Sequence, residues 1–206
     1  METSAIFQKY AEHYEILNRK KNYKEEIDFV WKWAGRPYRI LDLGCGTAHY
    51  WQYFPGKTLI RGFERSMEMK NLSPFKENIM TGDVCQVDYS VYESFDCVTA
   101  LFHVMNYLPD ISFMDKLPIK DRGFFIFDLL RPGKFSITER EIDGVKRTIT
   151  PLKQSGKKVS LEVKIEAGGE TYKEVHDLTI WTQKDIEKST LKIVDVRDSW
   201  FKLQKK

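Results

Sequence analysis

The sequence predicts an α/β fold in which a mostly parallel sheet is flanked by helices and carries an inserted antiparallel β-arm. Short apolar segments alternate with polar or helical stretches between residues 38 and 130, as in parallel strands joined by crossovers. After residue 132 apolar and polar side chains alternate one by one, which is typical of antiparallel strands. A glycine-rich turn follows the first apolar segment, at the position where α/β folds bind ligands.

Length and composition predict a single domain over residues 1–206. With 42% hydrophobic residues, the chain can bury one sizeable core. We expect this domain to contain four segments. They are N-terminal helices forming a lid (1–35), a cofactor-binding core (36–131), the antiparallel β-arm (132–181), and a C-terminal helix and strand completing the sheet (182–206).

Charge and cysteine content exclude several classes of protein. The 33 basic side chains nearly balance 30 acidic ones, so no nucleic-acid partner is expected. No apolar run approaches the roughly 18 residues that cross a bilayer, so we expect no membrane partner and a cytoplasmic location. Cys45, Cys85 and Cys97 form no C-x-x-C pair, which indicates reduced thiols and no metal.

The N-terminal segment is predicted to form two helices. Apolar residues recur at helical spacing in each of them, and Gly35 and Pro37 end the second helix. The recurring positions are Ile6, Phe7, Tyr10, Tyr14 and Leu17 in the first helix, and Ile27, Val30, Trp31 and Ala34 in the second.

Five short apolar runs are predicted to be the parallel strands. They comprise residues 39–43, 58–63, 78–80, 95–101 and 123–130. The arm has hairpin turns at Asp143-Gly144 and Gly168-Gly169. Thr182 begins a short helix as its N-cap, and a last strand is expected near residues 191–196.

The turn after the first strand carries the strongest functional signal. Gly44 and Gly46 allow the backbone to turn sharply and to approach a ligand closely. His49 occupies the third glycine position of a dinucleotide-binding loop, which argues against an oxidoreductase. Asp42, at the end of the strand, would repel a pyrophosphate and suit a cationic nucleoside cofactor.

Two further acidic residues follow the next two strands. Glu64 lies 20 residues beyond Gly44, where a carboxylate can accept hydrogen bonds from both ribose hydroxyls. Asp83 can accept a hydrogen bond from an adenine amino group, and the Val84 amide can donate to the ring. Acids at three successive strand ends therefore predict a nucleoside site.

These motifs resemble those of class I S-adenosylmethionine-dependent methyltransferases. The resemblance is carried by residues 40–48, 62–67, 82–83 and 95–108, in the family's order. It implies a Rossmann-like fold with a mostly parallel seven-stranded sheet, and S-adenosylmethionine as cofactor with S-adenosylhomocysteine as product. Ala48 departs from the family's third glycine, and the short 109–122 link leaves room for only a single turn of helix.

Within the superfamily, the closest resemblance is to N-methyltransferases of nucleotide-linked amino sugars, and more loosely to glycine N-methyltransferase. It implies methylation of an amine on a sugar, with the arm forming the substrate pocket or a homodimer contact. Tyr107 stands where sugar N-methyltransferases have a histidine, so the proton acceptor stays open. The expected catalytic residues are His103, Tyr107 and Tyr14. The expected cofactor-binding residues are Tyr14, Asp42, Gly44, Cys45, Gly46, Glu64, Arg65, Met67, Asp83, Val84, Leu101 and Phe102.

Several alternatives remain at this stage. The acceptor could be a sugar hydroxyl, and the chain could be a binding module that holds the cofactor without catalysis. The stretch 96–100 lacks the prolines of base methylases, which argues against modification of duplex DNA. His13, His49 and His176 are interpreted as structural. The run Arg19-Lys20-Lys21 is interpreted as a solvated turn between helices, with a contact to the diphosphate of a nucleotide-linked sugar as the alternative.

Overall fold

Alternation of buried side chains along the strands builds a central sheet that is covered on both faces. The structure, a computed structural model, describes residues 11–131, 133 and 135–206. Its helices are α1 (Ala11–Asn18), α2 (Tyr23–Trp33), α3 (Met67–Leu72), α4 (Val104–Tyr107) and α5 (Gln183–Ile186). Its strands are β1 (Arg39–Leu43), β2 (Leu59–Glu64), β3 (Ile79–Thr81), β4 (Phe95–Ala100), β5 (Ile119–Asp128), β6 (Thr138–Ile142), β7 (Val145–Ser155), β8 (Lys158–Ala167), β9 (Glu170–Thr179), β10 (Leu191–Arg197) and β11 (Trp200–Lys205).

The seven-stranded sheet has the order β10-β11-β5-β4-β1-β2-β3. Strands β1 to β5 pair in parallel, and β11 inserts antiparallel beside β5. Neighbouring residues of one strand enter opposite cores: Leu41 packs on one face of the sheet and Ile40 on the other. The predicted α/β architecture, a mostly parallel seven-stranded sheet, is confirmed.

The four-stranded antiparallel sheet has the order β6-β7-β8-β9 and forms the predicted arm. Both expected turns are present, with positive φ angles at Asp143, Gly144, Gly168 and Gly169. A third turn at Gly156 was not predicted. The arm does not stand apart from the core, because α1 packs on β6 and β7 and α4 packs on β9.

The N-terminal helices agree in part with the prediction. Helix α2 begins at its N-cap Asn22, whose side chain accepts a hydrogen bond from the Glu25 amide at 3.3 Å. It buries Trp33, whereas the predicted Trp31 is only partly buried. The first helix is described from Ala11 onward, so Ile6, Phe7 and Tyr10 lie outside the described residues.

Three local features differ from or refine the expectations. The glycine turn opens into the 3₁₀ helix His49–Tyr53, because Ala48 is left-handed (φ +52°) at its start and Phe54 is extended at its end. The 109–122 link contains the short 3₁₀ helix Ser112–Lys116, as expected. One last strand was expected, but the chain forms a hairpin of two strands, β10 and β11.

The capping box of α5 is present as predicted, with Thr182 and Asp185 bonded reciprocally. In the described part of the chain no helix is long and apolar enough to span a membrane. No three histidine, cysteine or acidic side chains of the described ranges are grouped as metal ligands.

Candidate cofactor and acceptor site

A cavity opens at the carboxyl edge of the parallel strands, where α/β sheets bind ligands. Segments that follow β1, β2, β3 and β4 form one side, and α1, α2 and α4 form the other. The lining residues are Tyr14, Glu15, Tyr23, Gly44, Cys45, Gly46, Thr47, His49, Tyr50, Glu64, Arg65, Met69, Gly82, Asp83, Val84, Leu101, Phe102, Val104, Tyr107, Leu108 and Pro109. Most of the predicted cofactor-binding residues are therefore brought together.

The glycine turn forms the floor of the cavity. Gly44 (φ +63°) and Gly46 (φ +58°) adopt left-handed conformations that disfavour other residues. A Cβ at Gly44 would lie 2.7 Å from a methyl group of Val104, so α4 could not pack there against a larger residue. The Cys45 amide donates to the Phe63 carbonyl at 3.1 Å and holds the turn beside β2.

Asp42 lies beneath this turn rather than in the cavity. Its carboxylate is buried and accepts hydrogen bonds from Tyr50 Oη (2.5 Å), Trp51 Nε1 (2.6 Å) and Thr99 Oγ1 (2.7 Å). Burial raises the pKa of Asp42 to about 6, although these hydrogen bonds lower it. Three donors of the protein thus surround the carboxylate, and the expected contact between Asp42 and a cationic ligand stays a prediction.

Glu64, unlike Asp42, lines the cavity. Its Oε2 accepts from the Gly46 amide at 2.8 Å, and its Oε1 accepts from the Ser66 amide at 2.8 Å. Burial raises its pKa, while these backbone hydrogen bonds lower it. Each carboxylate oxygen can accept a second hydrogen bond. Glu64 is therefore held in place with acceptor capacity for a diol.

The third strand end places Asp83 and Val84 on the same wall. Asp83 Oδ1 accepts from the Cys85 amide at 2.9 Å, and its Oδ2 lies 3.9 Å from Nη1 of Arg65. Val84 is buried and gives this part of the wall an apolar surface, suited to a flat ring.

Met67 is not part of this wall. Ser66 caps α3 by accepting from the Met69 amide at 3.0 Å, which leaves Met67 in the first turn and 48% exposed. Met69, two residues further along the helix, lines the cavity instead. The rotational phase of α3, which the sequence pattern alone did not fix, decides which methionine side chain enters the cavity.

Helix α1 closes the cavity from the opposite side. Tyr14 lines it, and burial, more than neighbouring charges, raises the pKa of this tyrosine to about 12. Glu15 accepts a short hydrogen bond from Thr47 Oγ1, which joins α1 to the glycine turn. His49 lies 3.8 Å from Glu15 and also lines the cavity. Sequence reasoning missed Glu15 and Thr47, since nothing local links them.

The segment after β4 contributes Leu101 and Phe102 but not His103. The ammonium of Lys21 lies 3.5 Å from the centroid of the Phe102 ring and 3.0 Å from Oε2 of Glu26. His103 has a left-handed backbone (φ +65°), and its Nδ1 lies 2.6 Å from Asp128 Oδ2. Its side chain is 43% exposed and does not line the cavity. Its predicted catalytic role stays a prediction.

Tyr107 lines the cavity and connects it to the arm. Its hydroxyl lies 3.1 Å from Nδ1 of His176 on β9, and Nε2 of His176 makes a short hydrogen bond with Glu174. Burial raises the pKa of Tyr107. The sequence indicated a structural His176 and did not single out Glu174. The available signal was their spacing of two residues, which places both polar side chains on one face of a strand.

The arm also brings two arginines towards this region. Arg140 on β6 and Arg147 on β7 are directly opposite in the antiparallel register. Burial first, and the charge of Arg140 second, lower the pKa of Arg147, while Tyr14 and Tyr107 act on it in the other direction. No ion pair joins either arginine to a carboxylate of the described residues. Like charges placed opposite each other are unfavourable unless an anion binds.

Comparisons with known proteins identify the fold. No family model matches, and no curated protein matches either. DesVI of Streptomyces venezuelae matches over 100% of both chains, with a TM-score of 0.76 and 17% identity. CalS10, an amino pentose methyltransferase from Micromonospora echinaspora, matches over 100% of both chains (TM-score 0.72, 20% identity). The sugar N-methyltransferase KedS8 from Streptoalloteichus matches with 96% and 92% coverage (TM-score 0.69, 19% identity).

The protein thus has the class I S-adenosylmethionine-dependent methyltransferase fold, resembling the structures of sugar methyltransferases over its whole length. The arm and the N-terminal helices are included in this likeness, since the matches cover the entire chain.

Proposed function

We propose that the protein transfers a methyl group from S-adenosylmethionine to a polar small molecule, namely an amino group on a sugar carried by a nucleotide. The observation that carries the proposal is the position of Glu64. It lines the cavity between the glycine turn and Asp83, and both of its carboxylate oxygens are oriented by backbone amides. A ribose diol is the chemical group that matches two adjacent, fixed acceptors.

The same geometry favours a nucleoside over a dinucleotide. Glu64 Oε2 accepts from the amide of Gly46, one of the loop amides that a pyrophosphate would need. His49 and Ala48 take the place of further glycines, and the loop continues as a 3₁₀ helix rather than an α-helix. An α-helix N-terminus with free amides, the usual phosphate site, is not formed by this loop.

The arm supports an anionic acceptor. Arg147 and Arg140 carry adjacent positive charges beside Tyr14 and Tyr107, which both line the cavity. A diphosphate would relieve their mutual repulsion and bind through charge-assisted hydrogen bonds. CalS10 and KedS8 are described as amino pentose and sugar N-methyltransferases, which is consistent with a sugar nucleotide here.

The residues would act mainly by positioning. S-adenosylmethionine supplies a methyl group that is already activated on a sulfonium. Alignment of an acceptor with such a group is worth up to roughly 7 to 11 kcal/mol, whereas a general base gives ~10² to 10⁴ in rate. Tyr14, Tyr107 and Phe102 line the cavity, where they would hold an acceptor beside the cofactor.

The experiment is methyl transfer from labelled S-adenosylmethionine to glucosamine, galactosamine and an aminopentose, each free and as a nucleoside diphosphate ester. We expect transfer to at least one ester, with a product that retains a titratable amine. O-methylation would appear as a product with an unchanged primary amine. Cofactor binding without transfer to any acceptor would favour the non-catalytic module.

A further inference from the structure

Three polar side chains run in series from the cavity into the arm. Tyr107 lines the cavity, its hydroxyl lies 3.1 Å from Nδ1 of His176, and Nε2 of His176 bonds to Glu174. The side chain of His176 is 4% exposed and that of Glu174 is 14% exposed. The series therefore joins the cavity to a carboxylate through a buried imidazole.

The chemistry of the three groups fixes the direction of the hydrogen bonds. An ionised carboxylate only accepts, so Nε2 of His176 carries the proton that Glu174 binds. In the neutral imidazole Nδ1 is then the unprotonated nitrogen, and it accepts the hydrogen of Tyr107. A tyrosine that donates its hydrogen away from the cavity presents oxygen lone pairs to whatever the cavity holds.

Tyr107 needs such a partner if it is to receive a proton. Burial raises its pKa, with the neighbouring Tyr14 and Glu174 acting in the same direction and Arg147 opposing them. The hydroxyl is therefore protonated near neutral pH and has no charge of its own to offer. It can accept a proton while passing its own to His176.

We propose that Tyr107, His176 and Glu174 form a proton relay for the acceptor amine, an inference that rests on the proposed function. An acceptor ammonium transfers one proton to Oη of Tyr107 while the hydroxyl proton of Tyr107 moves to Nδ1 of His176. The nitrogen lone pair so released bonds to the methyl carbon, and the carbon–sulfur bond breaks with its electron pair going to sulfur. His176 ends as an imidazolium beside the Glu174 carboxylate and later releases its proton to solvent.

The surroundings of His176 suit this role. On β9 Glu174 compensates the imidazolium charge, and on β8 the residue opposite His176 is the apolar Leu161. Arg147 of β7 and Tyr14 of α1 face Tyr107. Glu174 is in direct contact with the imidazole and outweighs the more distant arginine.

The test compares Tyr107→Phe and His176→Gln with Asp177→Asn, a control on the exposed face of the same strand. Titration with S-adenosylhomocysteine comes first, and we expect equal affinity in all four proteins. With an amino sugar ester that accepts a methyl group, we expect the kcat of both relay variants to fall ~100-fold at neutral pH. The loss should shrink to less than ~5-fold at a pH where the free amine is already deprotonated.

A loss of rate that stays constant with pH would overturn the relay, because a merely structural defect does not depend on the ionisation of the acceptor. Nitrogen-15 NMR of the imidazole in the S-adenosylhomocysteine complex gives a second readout that needs no acceptor. We expect the Nε2–H tautomer of His176, and an Nδ1–H tautomer would contradict the relay. Failure of the wild type to bind S-adenosylhomocysteine would instead reject the proposed function.

Discussion

His103 and His176 each lie against a carboxylate, but they belong to different sheets and have different access to the cavity. His103 follows β4 of the parallel sheet, is 43% exposed and contacts Asp128 outside the cavity lining. His176 lies on the inner face of the arm and reaches the cavity through Tyr107. We therefore propose that the parallel sheet supplies the nucleoside contacts and that the arm supplies groups for the acceptor.

Removing the nucleoside contact should have the largest effect on binding. Glu64→Ala loses the two oriented acceptors, and hydrogen bonds to charged groups are worth about 1.5 to 3 kcal/mol each. We expect the affinity for S-adenosylhomocysteine to fall at least ~100-fold by calorimetry. Glu77→Gln, which removes an exposed acidic charge beyond the cavity lining, should leave the affinity unchanged. An unchanged affinity in Glu64→Ala would contradict the assignment of Glu64 as a nucleoside contact.

Asp42 should affect the free energy of unfolding rather than the binding of a ligand. Its folded pKa is about 6 and its reference value is 3.8, so over this interval the folded state keeps a proton that the unfolded state releases. The free energy of unfolding therefore decreases as pH rises from 3.8 to about 6. The decrease amounts to about 3 kcal/mol at about 1.4 kcal/mol per pKa unit.

Asp42→Asn should remove this dependence on pH. The amide still accepts from Tyr50 and Trp51 through its oxygen, and the Thr99 hydroxyl can turn to accept from its nitrogen. Denaturant unfolding of both proteins at several pH values measures the difference. Parallel pH profiles for wild type and variant would contradict the buried, proton-binding Asp42.

The arm's arginines should act on the acceptor alone. Arg147→Gln removes one of two adjacent positive charges, and we expect the KM of nucleoside diphosphate esters to rise ~10-fold, or about 1.4 kcal/mol. The KM of the free amino sugars should not change. Lys146→Gln, its neighbour on the opposite face of β7, is the matched control. Equal effects on esters and free sugars would argue against a diphosphate contact.

Replacing His103 should have the smallest effect. Its backbone is left-handed, a conformation that asparagine adopts more readily than most residues, so His103→Asn preserves the turn. We expect kcat to fall less than ~5-fold, with a pH profile like that of the wild type. A loss of kcat that disappears at high pH would indicate that His103, and not His176, accepts the proton.

The parts of the fold that the sequence predicted depend on local patterns. The parallel strands, the glycine turn and the acids after β2 and β3 follow from spacing within short segments, and Glu64 and Asp83 do line the cavity. Ser66 and Met69 show where this fails, because the phase of α3 is set by its cap.

The acceptor side depends on contacts between distant segments. Tyr107 meets His176 only because α4 docks on β9, 69 residues further along the chain. Arg140 and Arg147 become neighbours through strand register. Asp42 is covered by donors from the 3₁₀ helix and from β4. No local pattern encodes these encounters, so the sequence could suggest an arm near the substrate without naming its residues.

The most direct test of the account is calorimetric titration of the wild-type protein with S-adenosylhomocysteine and, separately, with NAD⁺. A cavity built around Glu64, with no phosphate-binding helix after its glycine turn, predicts micromolar binding of S-adenosylhomocysteine and none of NAD⁺. Binding of NAD⁺ with comparable affinity, or no binding of S-adenosylhomocysteine, would contradict a methyltransferase site.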